Sequence, residues 1–249
     1  MELKILGSGS AGNCYILDNG KEALVIEAGV SFNEVKKAVG FDISRIVGCL
    51  VSHEHGDHAK YYKSLGDLGR IHVITSLGTM ETLRTKDGVC PYVLGCDCMK
   101  KFDVGNFICM AFPIKHDAVE PMGFLIHHPE TGTILYATDT YYLEYTFEGL
   151  NNILIECNYR LDILEANVAA DSVPKTQRDR TLQSHMSFDT CKETLLANDL
   201  RAVNNIVLIH LSDGNSNAAE FRQSIAEATG KTVHVADRGM VLNFNKTPF

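Results

Sequence analysis

Residues 52–58 read Ser-His-Glu-His-Gly-Asp-His and follow directly on an apolar run, IVGCLV, at 46–51. A lone histidine is ordinarily a satisfied surface or core residue. Three histidines and an aspartate in so short a stretch after a buried strand are not: such a match arises by chance about once in a thousand chains of this composition. In a loop, His53 and His55 can project together while Asp57 and His58 turn toward a second point. One short segment can then serve two cations. Neutral imidazoles with a carboxylate suit Zn²⁺, Mn²⁺ or Fe, and do not suit Ca²⁺.

This loop cannot complete two coordination shells alone, so further ligands must come from the ends of other strands. Three residues stand in that context: His116 after FICMAFPI, Asp139 after TILYAT and His210 after NIVLI. His72, His127, His128 and His234 lie within strand-like runs or a turn and read as structural.

The chain has 249 residues, 45% of them hydrophobic and 22% charged, which excludes disordered and fibrous classes. One domain over 1–249 is the economical reading. The net charge of −8 argues against gripping long nucleic acid by bulk charge, though it leaves room for a local basic patch. No apolar run approaches the roughly 18 residues that span a bilayer, and the N-terminus lacks the pattern of a secretory signal, so no membrane association is expected. The eight cysteines are scattered and several sit in apolar runs, so they read as reduced core residues of a cytoplasmic protein. Cys90, Cys96 and Cys98 lack the CxxC spacing and fourth partner of a zinc site.

ELKIL, NCYILD and EALVIEA read as short strands, and the intervening GSGSAGN as a glycine-rich turn. That turn lacks the Lys-Ser/Thr of a P-loop, and strand rather than helix follows it; a place near the active site stays open. Ser31 caps a helix stopped by Gly40, and Ser76 caps another reaching Leu83. Further strands are expected at 71–75, 107–112, 123–127, 133–138, 152–156 and 206–210, then two closing the chain. Helices are expected at 188–198 and from a Ser216 cap to Gly230. The weakly patterned segment at 160–184 reads as a loop or arm insertion.

The sequence resembles the metallo-β-lactamase-fold hydrolase superfamily over essentially its whole length. LVIEAG, the SHEHGDH loop, and His116, Asp139 and His210 in order carry the likeness. The resemblance implies an α/β fold, an αββα sandwich of two mixed sheets flanked by helices, with two divalent ions, Zn²⁺ or Mn²⁺, at one edge. It would place His53, His55 and His116 on the first ion, Asp57, His58 and His210 on the second, and Asp139 between them. Glu27 stands where the family usually has an Asp that supports the loop. LGSGSAGNCYIL, FPIKHDAVEPMGF, LIECNY, SHMS and LIHLSDGNS are similar to the WalJ-type exonuclease branch and phage anti-Pycsar enzymes, which hydrolyse cyclic nucleotides. A homodimer is an expectation from such relatives, as is the host cytoplasm for a phage-borne chain.

That branch, like tRNase Z, carries an extra histidine between the bridging Asp and the last metal His. His185 stands there and is the expected general acid, beside Asp57 as a catalytic ligand. Phosphodiester hydrolysis is therefore the expected chemistry; a lactonase or glyoxalase would not need His185. Ser187 is expected to cap the next helix and face an anion, and Tyr142 and Asn215 to touch substrate. The aromatic group Tyr141, Tyr142, Tyr145 and Phe147 suits either base stacking or core packing. Lys175, Arg178 and Arg180, interrupted by Asp179, suit either a substrate arm or a solvated loop. A small, cyclic nucleotide is favoured over single-stranded DNA or RNA.

Overall fold

The structure, a computed structural model, describes residues 1–247. Six strands run in succession through the N-terminal half: β1 (Glu2–Gly7), β2 (Cys14–Asp18), β3 (Ala23–Ile26), β4 (Ile46–Leu50), β5 (Val73–Ser76) and β6 (Val93–Cys96). Seven follow: β7 (Lys101–Val104), β8 (Phe107–Pro113), β9 (Met122–His128), β10 (Gly132–Ala137), β11 (Leu150–Glu156), β12 (Asn205–Ile209) and β13 (Thr232–Val235). The last strand, β14 (Val241–Asn243), returns to pair with β1.

They form two seven-stranded sheets, ordered β14-β1-β2-β3-β4-β5-β6 and β13-β12-β11-β10-β9-β8-β7. Each is antiparallel on one side and parallel on the other: β3 to β6 are parallel neighbours, as are β10 to β13. Alternation along the strands builds three apolar layers. Tyr15, Leu17, Leu24 and Ile26 meet Phe124, Tyr136, Val207 and Ile209 between the sheets. Their neighbours in sequence, Cys14, Ile16, Ala23 and Val25, face α1 (Phe32–Ala38) on the outside of the first sheet. Ile206 and Leu208 likewise pack outward with Cys191 and Phe221 of the helices. Two-sided burial is why these strands read as continuous apolar runs.

The remaining helices are α2 (Gly56–Ala59), α3 (Leu77–Asp87), α4 (Leu161–Ala169), α5 (Lys175–Ser184), α6 (Phe188–Ala197) and α7 (Ala218–Thr229). Ser31, Ser76 and Ser187 cap α1, α3 and α6, each accepting a backbone N–H three residues on. Helix α3 continues past Leu83 to Asp87, and Asn217 rather than Ser216 caps α7. Ser216 donates instead to the Ser212 carbonyl. Strands β6 and β7 were not expected; both are short edge strands with largely exposed residues.

The segment 160–184 is no loop. It folds as α4 and α5, which bury only Leu164 and Ser184 and therefore lack an apolar stripe that would betray a helix. An Arg178–Glu165 ion pair joins the two. All eight cysteines are free. Among the described residues no helix is long and apolar enough to cross a membrane.

Candidate metal centre

Strands β3, β4, β10, β11 and β12 end near one another, and each is followed or closed by a polar residue: Glu27, His53, Asp139, Glu156 and His210. Glu27, Asp139 and His210 take positive φ, 68°, 47° and 54°. A left-handed backbone at a non-glycine residue costs of the order of 1–3 kcal/mol and persists where the surroundings impose it. Here it turns three side chains off their strands into one cluster.

Among the described residues, ligand atoms gather in three groups, each within 4.8 Å: His53, His55 and His116; Asp57, His58, Asp139 and His210; Asp139, Glu156, His185 and His210. All seven expected ligands are thus assembled, in the two sets expected. Asp139 Oδ2 lies 3.3 Å from His58 Nε2, 3.5 Å from His116 Nε2 and 3.8 Å from His53 Nε2, so it faces both sets. Asp57 Oδ2 is 3.3 Å from Nε2 of both His58 and His210.

The donor set fits two divalent cations. His53 Nε2 is buried with no hydrogen-bond partner. Outer partners fix the rings: His116 Nδ1 donates to the Ser184 carbonyl at 2.8 Å, and Ser52 Oγ lies 2.9 Å from His53 Nδ1. Glu27 replaces the usual Asp without loss of role. Buried, it accepts from Ser52 N and from Tyr136 Oη, and lies 3.5 Å from His58 Nδ1.

The two sets differ in charge. Burial and the neighbouring His58 imidazole push the His53 pKa far down, and burial pushes His116 down as well. Burial opposes charge on His210 too, but Asp139, Asp57 and Glu156 outweigh it and raise it to about 10. His58 is raised in the same way by Asp139 and Glu27. The carboxylates that favour a proton there favour a cation equally, so the two would compete for these nitrogens.

Glu156 is the residue the sequence reading missed. It ends β11 in NNILIE, the same strand-then-ligand context as His210, but a glutamate closing an apolar strand was read as part of the strand. Its Oε1 accepts from His185 Nδ1 at 2.7 Å and lies 3.1 Å from His210 Nδ1; its Oε2 accepts from Thr140 N and Met186 N. Burial resists protonation of His185, yet Glu156 outweighs it and lifts the His185 pKa above the usual imidazole value. The ring stacks on His210 with centroids 5.3 Å apart.

A cavity of about 670 Å³ opens beside His185 and His210, walled by the glycine-rich turn at 7–12, residues 211–215, and Val173, Gln177 and Thr181. Asn215 lines it. Tyr142 and Ser187 are not among its lining residues. The Ser187 hydroxyl is engaged by Thr190, and Tyr142 stands half-exposed on the surface. Tyr145 and Phe147 pack on Phe112.

A family model described as a beta-lactamase superfamily domain matches residues 23–211. The chain belongs to the β-lactamase superfamily. Within it, "Exodeoxyribonuclease YycJ" of Bacillus anthracis is 28% identical over 178 residues, 66% of this chain and 65% of that protein's length. "Exodeoxyribonuclease WalJ" of Streptococcus pneumoniae is 26% identical over 228 residues, 85% of this chain and 82% of the relative. The crystal structure of the metallo-beta-lactamase fold protein YhfI from Bacillus subtilis superposes with a TM-score of 0.71, covering 97% of this chain and 98% of that one at 15% identity. Superfamily, fold and ligand set together make this a metal-dependent hydrolase.

Proposed function

We propose that the chain is a dinuclear metal-dependent phosphodiesterase whose substrate is a small, cyclic nucleotide. The observation that carries the phosphodiester chemistry is the Glu156–His185 pair at 2.7 Å, set between the second ligand set and the cavity. Cations held by the two sets would lower the pKa of a water to near 7 and offset charge on a phosphoryl oxygen. The protein's own part is proton delivery and orientation. Glu156 fixes Nδ1 of His185 as the donor to itself, so Nε2 is free to protonate a leaving alkoxide in the cavity.

Substrate size is supported by charge. Of the basic trio in α5, Arg178 is bound by Glu165 and Asp179 and Arg180 by Asp117, leaving little free positive surface for a polynucleotide backbone. The cavity volume suits a small ligand. A second reading, a single-strand exonuclease, is supported by the two relatives named as exodeoxyribonucleases. The test offers metal-loaded protein a panel of 3′,5′-cyclic nucleotides, cyclic oligonucleotides and single-stranded DNA and RNA. Turnover of cyclic nucleotides is expected. Degradation of polynucleotide alone would replace the first reading by the second, and turnover of neither would sink both.

A further inference from the structure

The glycine-rich turn between β1 and β2 is more than a connection. Gly9 and Gly12 take φ of 144° and 146°, a region closed to L side chains. A Cβ on Gly12 would meet the Gly29 carbonyl at 2.4 Å, and one on Gly29 the Asp57 carbonyl at 1.9 Å. Three backbones therefore touch: the turn, the segment after β3, and the metal-ligand loop. Asn13, fully buried, sits where they meet.

Every hydrogen-bonding group of Asn13 is engaged. Its N donates to the Asp57 carbonyl at 2.7 Å, and its carbonyl accepts from Gly29 N at 2.9 Å. Gly9 N donates to Oδ1 at 2.8 Å, which identifies the oxygen of the amide and turns Nδ2 the other way. Nδ2 then lies 3.1 Å from His58 Nε2 and 3.4 Å from Asp57 Oδ2. Both atoms belong to residues of the second set, while no hydrogen bond joins Asn13 to His53, His55 or His116.

We propose that Asn13 is a positioning residue for the second cation alone. Its amide N–H groups orient the Asp57 carboxylate beside His58, and its Oδ1 ties the cavity wall to that carboxylate. A cation on the Nε2 lone pair of His58 leaves Asp57 as the sole acceptor for the amide. The turn that lines the cavity and the second ligand set then behave as one unit.

The inference rests on the two-metal reading, and zinc titration of chelator-stripped protein by calorimetry separates the two. His116→Ala and His210→Ala identify the heats of the first and second sites. Asn13→Ala is expected to weaken the second site about 10–100-fold, the usual cost of losing an outer hydrogen-bond partner, with the first unchanged. Asn13→Asp keeps the acceptor for Gly9 N, removes the donor and adds a negative charge beside Asp57, so it too should shift the second site alone. Circular dichroism and melting of both metal-free variants check the fold, and the isosteric Asp variant decides if the Ala variant melts early. Second-site affinity within twofold of wild type, or equal weakening of both sites, would overturn the role of Asn13. Absence of zinc binding by the wild type would overturn the two-metal reading itself.

Discussion

The first sheet carries buried charge at both ends, and the two ends are compensated differently. At one, Asp18, 3% exposed, is held by Lys4 at 2.8 Å and Arg45 at 2.6 Å. At the other, past the far end of β3, Glu27 and Asp57 gather with Asp139 and Glu156 of the second sheet in the metal centre. Among the described residues none of these four pairs with a lysine or arginine; their only ionic partners are imidazoles. A buried carboxylate is expensive unless its charge is met. Where the chain supplies the cation, the group is structural. At the metal edge, where imidazoles alone face four gathered carboxylates, the charge suits a cation from outside.

The largest expected effect is at the residue facing both sets. Asp139→Ala should reduce bound zinc below one equivalent by elemental analysis and slow turnover at least about 10³-fold. A variant that keeps two cations would break the comparison. Next comes His185→Ala, for which kcat should fall about 10²–10⁴-fold while both cations remain. An unchanged kcat would remove the general acid and favour a non-phosphodiester hydrolase.

The structural end should respond in stability alone. Asp18→Ala should cost about 3 kcal/mol in urea unfolding, with zinc binding intact. Burial disfavours the Asp18 carboxylate, but hydrogen bonds from Lys4, Gly20 N and Arg45 outweigh it and lower the pKa from its usual 3.8. A depressed folded-state pKa means stability fully present above 3.8 and lost as pH falls through the lower, folded value. The stability gap between wild type and Asp18→Asn should therefore narrow below that pH; a constant gap would argue against ionic anchoring. The smallest effect belongs to an exposed pair, Glu81–Arg84: Glu81→Ala should change stability by less than about 0.5 kcal/mol.

The same contrast explains what the chain disclosed before folding. The seven ligands were legible because a polar residue directly after a buried strand has few reasons to be there. His185 was found through resemblance, since a histidine at a helix start has none. Glu156 escaped because its strand carries it to the last position, where a glutamate looks like a boundary. Asn13 escaped because an amide in a glycine turn usually serves the turn. Helix α4 escaped because its apolar residues fall on no single face and only Leu164 is buried, and α5 because it is polar throughout; α5 is held by ion pairs to α4 and to Asp117, partners remote in sequence. The signals that failed are those whose meaning depends on a long-range partner.

The central claim is that the metal edge is a charge deficit completed by two cations. Calorimetric zinc titration of chelator-stripped wild type, Asp139→Ala and Asp18→Ala tests it most directly. Two cations should bind each chain of wild type and of Asp18→Ala, with an accompanying rise in Tm, and fewer than one should bind Asp139→Ala. Less than one equivalent on the wild type, or equal binding by wild type and Asp139→Ala, would contradict it.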